Sequence, residues 1–553
     1  MRTLTVAAVV LAVVAFYFWI ASAGNEPTPH YRYLAQGFLN GHLHLSVAPR
    51  SELLALPDPR DPDGNEPWRL HDASLYNGVY YLYFGPAPVL AAYLPWRALT
   101  GADLPDRIAA PAFAAAGYMF SVLLLLELLR RTRQRLSTPI QAAAAAALGL
   151  CTFVPFVLRR PAVYEVAILS GYAFFMAAAY AFARERYALA GIAFVLAAAS
   201  RPHYALAAVV FWIALAVTRR RLASFTIPLI AGAAALLSYN YARFGDPVEF
   251  GINYMLGGAK HLQHLRYSLG HVLPGLYYFL LCPPKLLPEF PFFRLAPAGF
   301  PAPYYYFLEP VAGAFAVTPA IIATFFARGV ARTLVLASLA VLCVLVLTGW
   351  TTQRYSVDFV PALLVAALTI CWRWKRLAVV ALVFGMVVNV AVSFTGYDDG
   401  LRERHPDTYY RIAGLFGAPR ERALDISALV TFPERPPRRT EPLLTTGEPF
   451  AGNVVAVRYI DAETIRILSV KWGVGGVSSP PLSVQPGRAY DLRIVYSPDQ
   501  HELSVRLDGS LVLTHAMVLF PTRADQVLVG QNRINPEVFG ARFSGVIEQR
   551  AIP

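Results

Sequence analysis

Apolar runs close to the length of a bilayer recur along this chain, and short arginine clusters separate them. They fall at 4–23, 107–129, 139–157, 163–183, 187–199, 203–218, 222–240, 310–327, 331–349, 356–371 and 376–395. Crossing a hydrocarbon core takes about 20 apolar residues in a helix. Backbone polar groups cannot be left unpaired in lipid, so helices are the form such runs must take. The runs predict a polytopic α-helical membrane protein of about eleven spans. Composition agrees: 56% of the residues are hydrophobic and 15% are charged, against roughly 25% charged in soluble domains.

The net charge of +13 would suit nucleic acid in a soluble protein. Here the arginines sit beside apolar runs, where they set orientation, and no nucleic-acid partner is expected. Arg130-Arg131-Thr132-Arg133-Gln134-Arg135, Arg184-Glu185-Arg186, Arg219-Arg220-Arg221, Arg328 with Arg332, and Arg373-Trp374-Lys375-Arg376 all fall on one side, and Arg159-Arg160 falls on the other. The positive-inside rule then puts the N-terminus in the cytoplasm and the C-terminus outside, as in a bacterial-type plasma membrane. Ala21-Ser22-Ala23 resembles a signal-peptidase site, but the near-spanning length of the first run favours an uncleaved anchor.

Two long outer segments follow from this topology, 24–106 and 241–309. The first is acidic, and its apolar piece at 86–99, broken by Pro88 and Pro95, reads as a short interfacial helix. The second is rich in proline and aromatic residues, as suits a membrane-interface belt. The runs 187–199 and 203–218 are short and meet at Ser200-Arg201-Pro202-His203, so Arg201 and His203 are expected part-way into an outward-facing cavity. Residues 397–440 read as an Arg- and Pro-rich linker. Residues 441–553 alternate apolar and polar side chains at 454–459, 465–470, 490–496, 503–507, 510–513 and 526–530, with turns at Pro498-Asp499 and Asp508-Gly509. That pattern predicts an extracytoplasmic all-β sandwich. The four cysteines show no pairing or metal spacing and read as structural thiols.

Several stretches then carry a resemblance. The first run is followed by His30-Tyr31-Arg32-Tyr33-Leu34-Ala35-Gln36-Gly37 and later by Tyr80-Tyr81-Leu82-Tyr83-Phe84-Gly85-Pro86. Ser200-Arg201-Pro202-His203-Tyr204 and Gln353-Arg354-Tyr355-Ser356-Val357-Asp358-Phe359-Val360-Pro361 follow further on. Together these resemble the GT-C-fold glycosyltransferases, an architecture similar to residues 1–396. The resemblance implies sugar transfer on the outer face, from a polyprenyl-phosphate carrier to an envelope glycan, lipid or protein. It also implies a catalytic carboxylate near the start of the first outer loop. The chain departs from the family there, with Asn25-Glu26-Pro27 in place of paired acids. Residues 490–496, 505–509 and 543–547 resemble laminin-G or concanavalin-like lectin domains, which implies glycan binding or a lid.

An inverting transfer needs a base for the acceptor hydroxyl and cations for the leaving phosphate. Asp72 and Glu26 are the candidate bases. Asp72 could equally cap a turn, and Glu26 could be a solvated loop carboxylate. Arg201, His203 and Arg354 are the candidate phosphate ligands, since cations near membrane depth are costly and usually functional; pairing with an acid such as Asp358 is the alternative. Tyr76, Asn77 and Arg243 complete the candidate binding set. Asp58, Asp61 and Asp63 form an acidic turn that could hold a divalent cation through oxygen ligands. No phosphate-cradling glycine loop, zinc spacing or nucleophile elbow is present. The rivals to transfer are a transporter or flippase of lipid-linked glycans and a glycan-binding envelope scaffold.

Overall fold

The computed structural model describes residues 2–22, 28–218, 221–257, 267–301, 306–396, 399–418, 420–436, 440–472 and 475–550. Two compact units divide the chain: Met1–Leu286 with Phe293–Ser393, and Leu287–Phe292 with Phe394–Pro553.

Seven helices in the described residues are long and apolar enough to cross a membrane: Leu4–Ser22, Asp106–Arg131, Thr138–Val157, Val163–Ala183, Leu222–Phe244, Val330–Leu347 and Cys371–Thr395. Shorter apolar helices run Tyr187–Ala198, Tyr204–Val217 and Leu269–Leu281. The first two of these are the short pair expected at 187–218, and the third lies in a segment expected to be an aromatic belt. Residues 86–99 are helical, as a π-turn at Val89–Tyr93 followed by Leu94–Thr100.

Besides that short pair, two more of the eleven expected runs are not single helices of spanning length. At 310–327 one α-turn, Ala314–Val317, gives way to a 3-10 helix, Pro319–Phe326. Pro319 lacks the N–H that would continue the α-helical ladder. At 356–371 a 3-10 helix, Gln353–Asp358, precedes the helix Val360–Leu368 of 9 residues. Every residue of that helix is buried. At 1.5 Å per residue it covers about 14 Å, half of what a bilayer demands. Burial inside the protein makes the same uniformly apolar pattern as a span does.

In the second unit, residues expected as linker hold the helices Gly400–Arg404 and Pro406–Gly414 and the strand Leu424–Thr431. Label the two strands of a hairpin in the first unit β1 (Ser74–Tyr76) and β2 (Val79–Tyr81). The second unit then contains β3 (Leu424–Thr431), β4 (Thr440–Glu448), β5 (Ala451–Tyr459), β6 (Thr464–Lys471), β7 (Gly475–Ser478), β8 (Leu482–Ser483), β9 (Ala489–Ser497), β10 (Glu502–Leu507), β11 (Ser510–Ala516), β12 (Leu528–Val529) and β13 (Val546–Arg550). One sheet runs β7-β6-β5-β4-β12, with β8 also on β6, and the other runs β11-β10-β9-β3-β13. The inward residues of both, among them Val430, Val457, Ile467, Ile494 and Val505, share one core. This is the two-layer sandwich that the alternation predicts. Strand β3 is an interior strand of the second sheet, pairing β9 on one side and the edge strand β13 on the other.

A buried charge cluster ties the helix Gly400–Arg404 to this sandwich. Lys471, at the end of β6, is 0% exposed. Its Nζ donates to the Val518 carbonyl at 2.6 Å and to the Glu403 carboxylate. Asp399 lies 3.6 Å from the same ammonium and accepts from Arg402 Nε at 2.7 Å.

Candidate functional site

Asp72 stands on a turn that only certain residues accept. Its φ is 58°, in the left-handed region where Asp and Asn are tolerated and most side chains are strained. Two backbone bonds hold the turn against a distant segment: Asp72 N donates to Leu256 O, and Leu256 N to Ala73 O, both at 2.8 Å. The carboxyl is buried, 8% exposed as a residue. It accepts a hydrogen bond from the Tyr164 hydroxyl, and His71 Nε2 lies 3.4 Å away. Burial pushes the Asp72 carboxyl above its ordinary range, and the positive fields of His71 and Arg354 only partly offset that. A carboxylate so placed is a stronger base than one in water. Behind it, His30 donates through Nε2 to the His71 carbonyl at 2.9 Å, and burial lowers the His30 imidazole to about 4.

Arg354 neighbours this carboxylate through Tyr164, whose ring lies 4.7 Å beneath the guanidinium. Arg354 is not a free cation. It pairs with Glu309 at 2.9 Å and with Glu165 at 3.3 Å. The same 3-10 helix presents Asp358 to a second cluster. There Arg201 donates to Asp358 Oδ2 at 2.8 Å, His203 Nε2 lies 3.3 Å from that oxygen, and the Tyr204 hydroxyl donates to Oδ1 at 3.2 Å. The Arg201 guanidinium also stacks 4.6 Å from the Tyr355 ring. Gln353–Asp358 therefore brings Arg201, His203 and Arg354 to one region, each beside a carboxylate.

Other candidates have local structural explanations. Asn77 and Gly78 take φ of 49° and 76°, the paired positive values of a two-residue hairpin turn, and they close β1 on β2 with Tyr76 opposite Val79. Tyr76 donates to Phe244 O at 3.2 Å. Tyr76 and Asn77 line a depression of about 320 Å³ with Leu54, Pro59, Arg60 and Tyr254, and Asp72, Arg201 and Arg354 are not among its walls. Arg243 donates to Leu82 O at 2.7 Å and Asn240 Oδ1 at 2.6 Å, with its guanidinium 4.0 Å from the Tyr239 ring; it fastens the helix Leu222–Phe244 to the loop after β2.

Asp58 Oδ1 accepts from Arg60 N at 3.0 Å, and Asp61 N donates to Asp58 O at 3.1 Å, which makes an acidic turn. The Asp63 side chain and all of Glu26 lie outside the described residues. Among the described residues, no group of three or more His, Cys, Asp or Glu side chains is placed to hold a metal ion.

The loop after β2 is pressed onto the turn that carries Arg201. Ala87 N donates to Ala199 O at 3.2 Å, and a Cβ on Gly85 would sit 1.8 Å from that same oxygen. Backbone cannot yield as a flexible side chain does. Gly85→Ala is therefore expected to destabilise the first unit by about 1–3 kcal/mol, the usual cost of overpacking. A drop in melting temperature of the purified full chain would check it, and an unchanged melt would show that the contact is loose.

Tyr164, Glu165 and Glu309 are not among the residues that the sequence singles out. Lone acids flanking apolar runs were the available signal. No protein-family model, curated protein or solved structure matches the chain.

Proposed function

We propose that this chain is a polytopic membrane glycosyltransferase that moves a sugar from a polyprenyl-phosphate carrier to a cell-envelope acceptor on the outer face. The observation that carries the reading is Asp72, a buried carboxylate with raised proton affinity, bonded by Tyr164 and within the field of Arg354. In this reading Asp72 takes the proton of the acceptor hydroxyl. The acceptor oxygen bonds to the anomeric carbon, and the bond from that carbon to the phosphate oxygen breaks with inversion. The prenyl phosphate leaves with the electron pair. Arg201 and Arg354 supply positive field to that leaving group, and the phosphate competes for them with Asp358, Glu165 and Glu309. The seven long apolar helices support the membrane setting, and the arginine clusters support an outward-facing site. The sandwich of the second unit would bind or cover the acceptor glycan.

A second reading has its own observation. Glu165, Glu309 and Asp358 are buried carboxylates paired with arginines, and ion-coupled transporters use such groups. The test is to supply the purified full chain in vesicles with radiolabelled polyprenyl-phosphate sugars and envelope extract. Label reaching the extract is expected. No transfer from any donor, together with protein-dependent movement of lipid-linked sugar across the vesicle, would overturn the enzyme in favour of the transporter.

A further inference from the structure

Two long helices of the first unit end in the same way. After Asp106–Arg131, Arg133 N donates to Arg130 O at 3.2 Å and Gln134 N to Leu129 O at 2.9 Å. After Val163–Ala183, Glu185 N donates to Phe182 O at 2.9 Å and Arg186 N to Ala181 O at 2.8 Å. Each pair of bonds makes a Schellman turn, which needs a left-handed residue just past the helix. Arg133 and Glu185 take that place, at φ of 53° and 58°.

One buried carboxylate joins the two turns. The Glu127 side chain is 4% exposed. It accepts from Arg130 Nε at 2.9 Å and Nη2 at 2.7 Å, from Arg131 Nε at 2.9 Å and from Arg184 Nη1 at 3.4 Å. Arg131 also reaches Glu185 at 3.5 Å. Guanidiniums from both turns are therefore held around a single acid. In these turns Arg130, Arg131, Arg133, Arg135, Arg184 and Arg186 face only Glu127 and Glu185, six charges against two. All six arginines are exposed. The positive-inside rule asks only that basic residues be present; it does not ask for a buried acid that fixes their forks. Fixed forks bind an anion at less entropic cost than loose ones, and a guanidinium fork matches two oxygens of a phosphate.

The surface beside the charge separates a lipid from a soluble anion. Within two turns before Arg130, Leu123 and Leu126 are 42% and 39% exposed. The helix Tyr187–Ala198 starts directly after Arg186, and its Leu189 and Ile192 are 58% and 49% exposed. A soluble phosphate would meet the cations alone. A phospholipid meets both, with its phosphate on the guanidiniums and its acyl chains along the leucines. Anionic lipids of the cytoplasmic leaflet are drawn to basic residues at the membrane surface, and the arginine distribution places these turns there.

We propose that the paired turns 130–135 and 184–186, organised by Glu127, form a binding site for the headgroup phosphate of an anionic phospholipid. The site rests on the membrane setting and is independent of sugar transfer.

The test reconstitutes the full chain in phosphatidylcholine vesicles carrying photoactivatable phosphatidylglycerol, and maps crosslinks by peptide mass spectrometry. Crosslinks that saturate with the phosphatidylglycerol fraction are expected within 123–135 and 184–192. Arg131→Gln and Arg184→Gln are each expected to weaken the apparent affinity about fivefold. Glu127→Gln is the decisive variant, because it adds to the net positive charge. A diffuse field would then bind lipid more tightly, whereas an organised site binds it more weakly. Weaker binding is expected, and equal or tighter binding would overturn the proposal. If Glu127→Gln does not fold, Arg184→Lys serves instead: it keeps the charge and loses the fork, and unchanged binding would overturn the site. Absence of saturable crosslinks in these stretches, or their loss to excess inorganic phosphate, would also overturn it. The readout is lipid binding, so failure of the transferase reading leaves this result standing.

Discussion

On the proposed glycosyltransferase reading, Asp72→Asn is expected to cut sugar transfer by about 10²- to 10⁴-fold, the range for loss of a general base, while the protein folds as well as before. Asparagine tolerates the left-handed backbone that Asp72 adopts at φ 58°, so the turn survives. The carboxyl is raised by burial, with His71 and Arg354 pulling it part of the way back. Between the ordinary carboxylate range and the raised value, the folded state binds more protons than the unfolded chain. Stability therefore falls as pH rises through that window. Asn carries no such penalty, so the variant is expected to melt at or above the wild-type temperature above the window. The transfer rate of the native protein should rise with pH through the same window as Asp72 ionises. Tyr164→Phe removes a hydrogen bond to the ionised form and should move that rise to higher pH. An Asp72→Asn variant that melts lower and still transfers would show that Asp72 only shapes its turn.

The parts of this arrangement that sequence reveals are those written in one stretch. Leu222–Phe244 and Val163–Ala183 announce themselves by unbroken apolar composition. Arg201 and Arg354 stand out as cations amid apolar neighbours. What stays hidden is pairing across distance. Arg354 meets Glu165 from 189 positions away, and Tyr164 reaches Asp72 from 92. Nothing in either neighbourhood names the other. Uniform hydrophobicity is also ambiguous: Val360–Leu368 is apolar because protein surrounds it, whereas a span is apolar because lipid does. Strand β3 failed for a different reason. Its alternation, Leu424-Asp425-Ile426-Ser427-Ala428-Leu429-Val430-Thr431, is clear over its own length. Prolines and arginines on both sides outweigh it in any wider window, and its status as an interior strand depends on β9 and β13.

Lys471→Met is expected to destabilise the second unit by about 3–5 kcal/mol, the cost of removing one partner from a buried ion pair. The apolar stem would pack much as the lysine stem does, so the loss isolates the charge. Without the ammonium, Glu403 keeps only the Val518 N–H at 3.2 Å as compensation among the bonds described here, and Val518 O loses its 2.6 Å donor. Asp399 still has Arg402, so the deficit falls on Glu403. Adding Glu403→Gln should therefore recover part of the loss, since a neutral amide costs far less to bury than an unpaired carboxylate. In the native background, Arg402→Met should itself destabilise the unit, leaving Asp399 with only an ammonium 3.6 Å away that Glu403 already engages. The measurement is urea-dependent proteolysis of the full chain, scored by fragments cut within residues 394–550, as a double-mutant cycle for Lys471 and Glu403. A coupling energy near zero would mean that Lys471 holds the sandwich by its stem and its bond to Val518 alone. A coupling of more than about 1 kcal/mol would assign the joint between the helix Gly400–Arg404 and strand β6 to the charge pair.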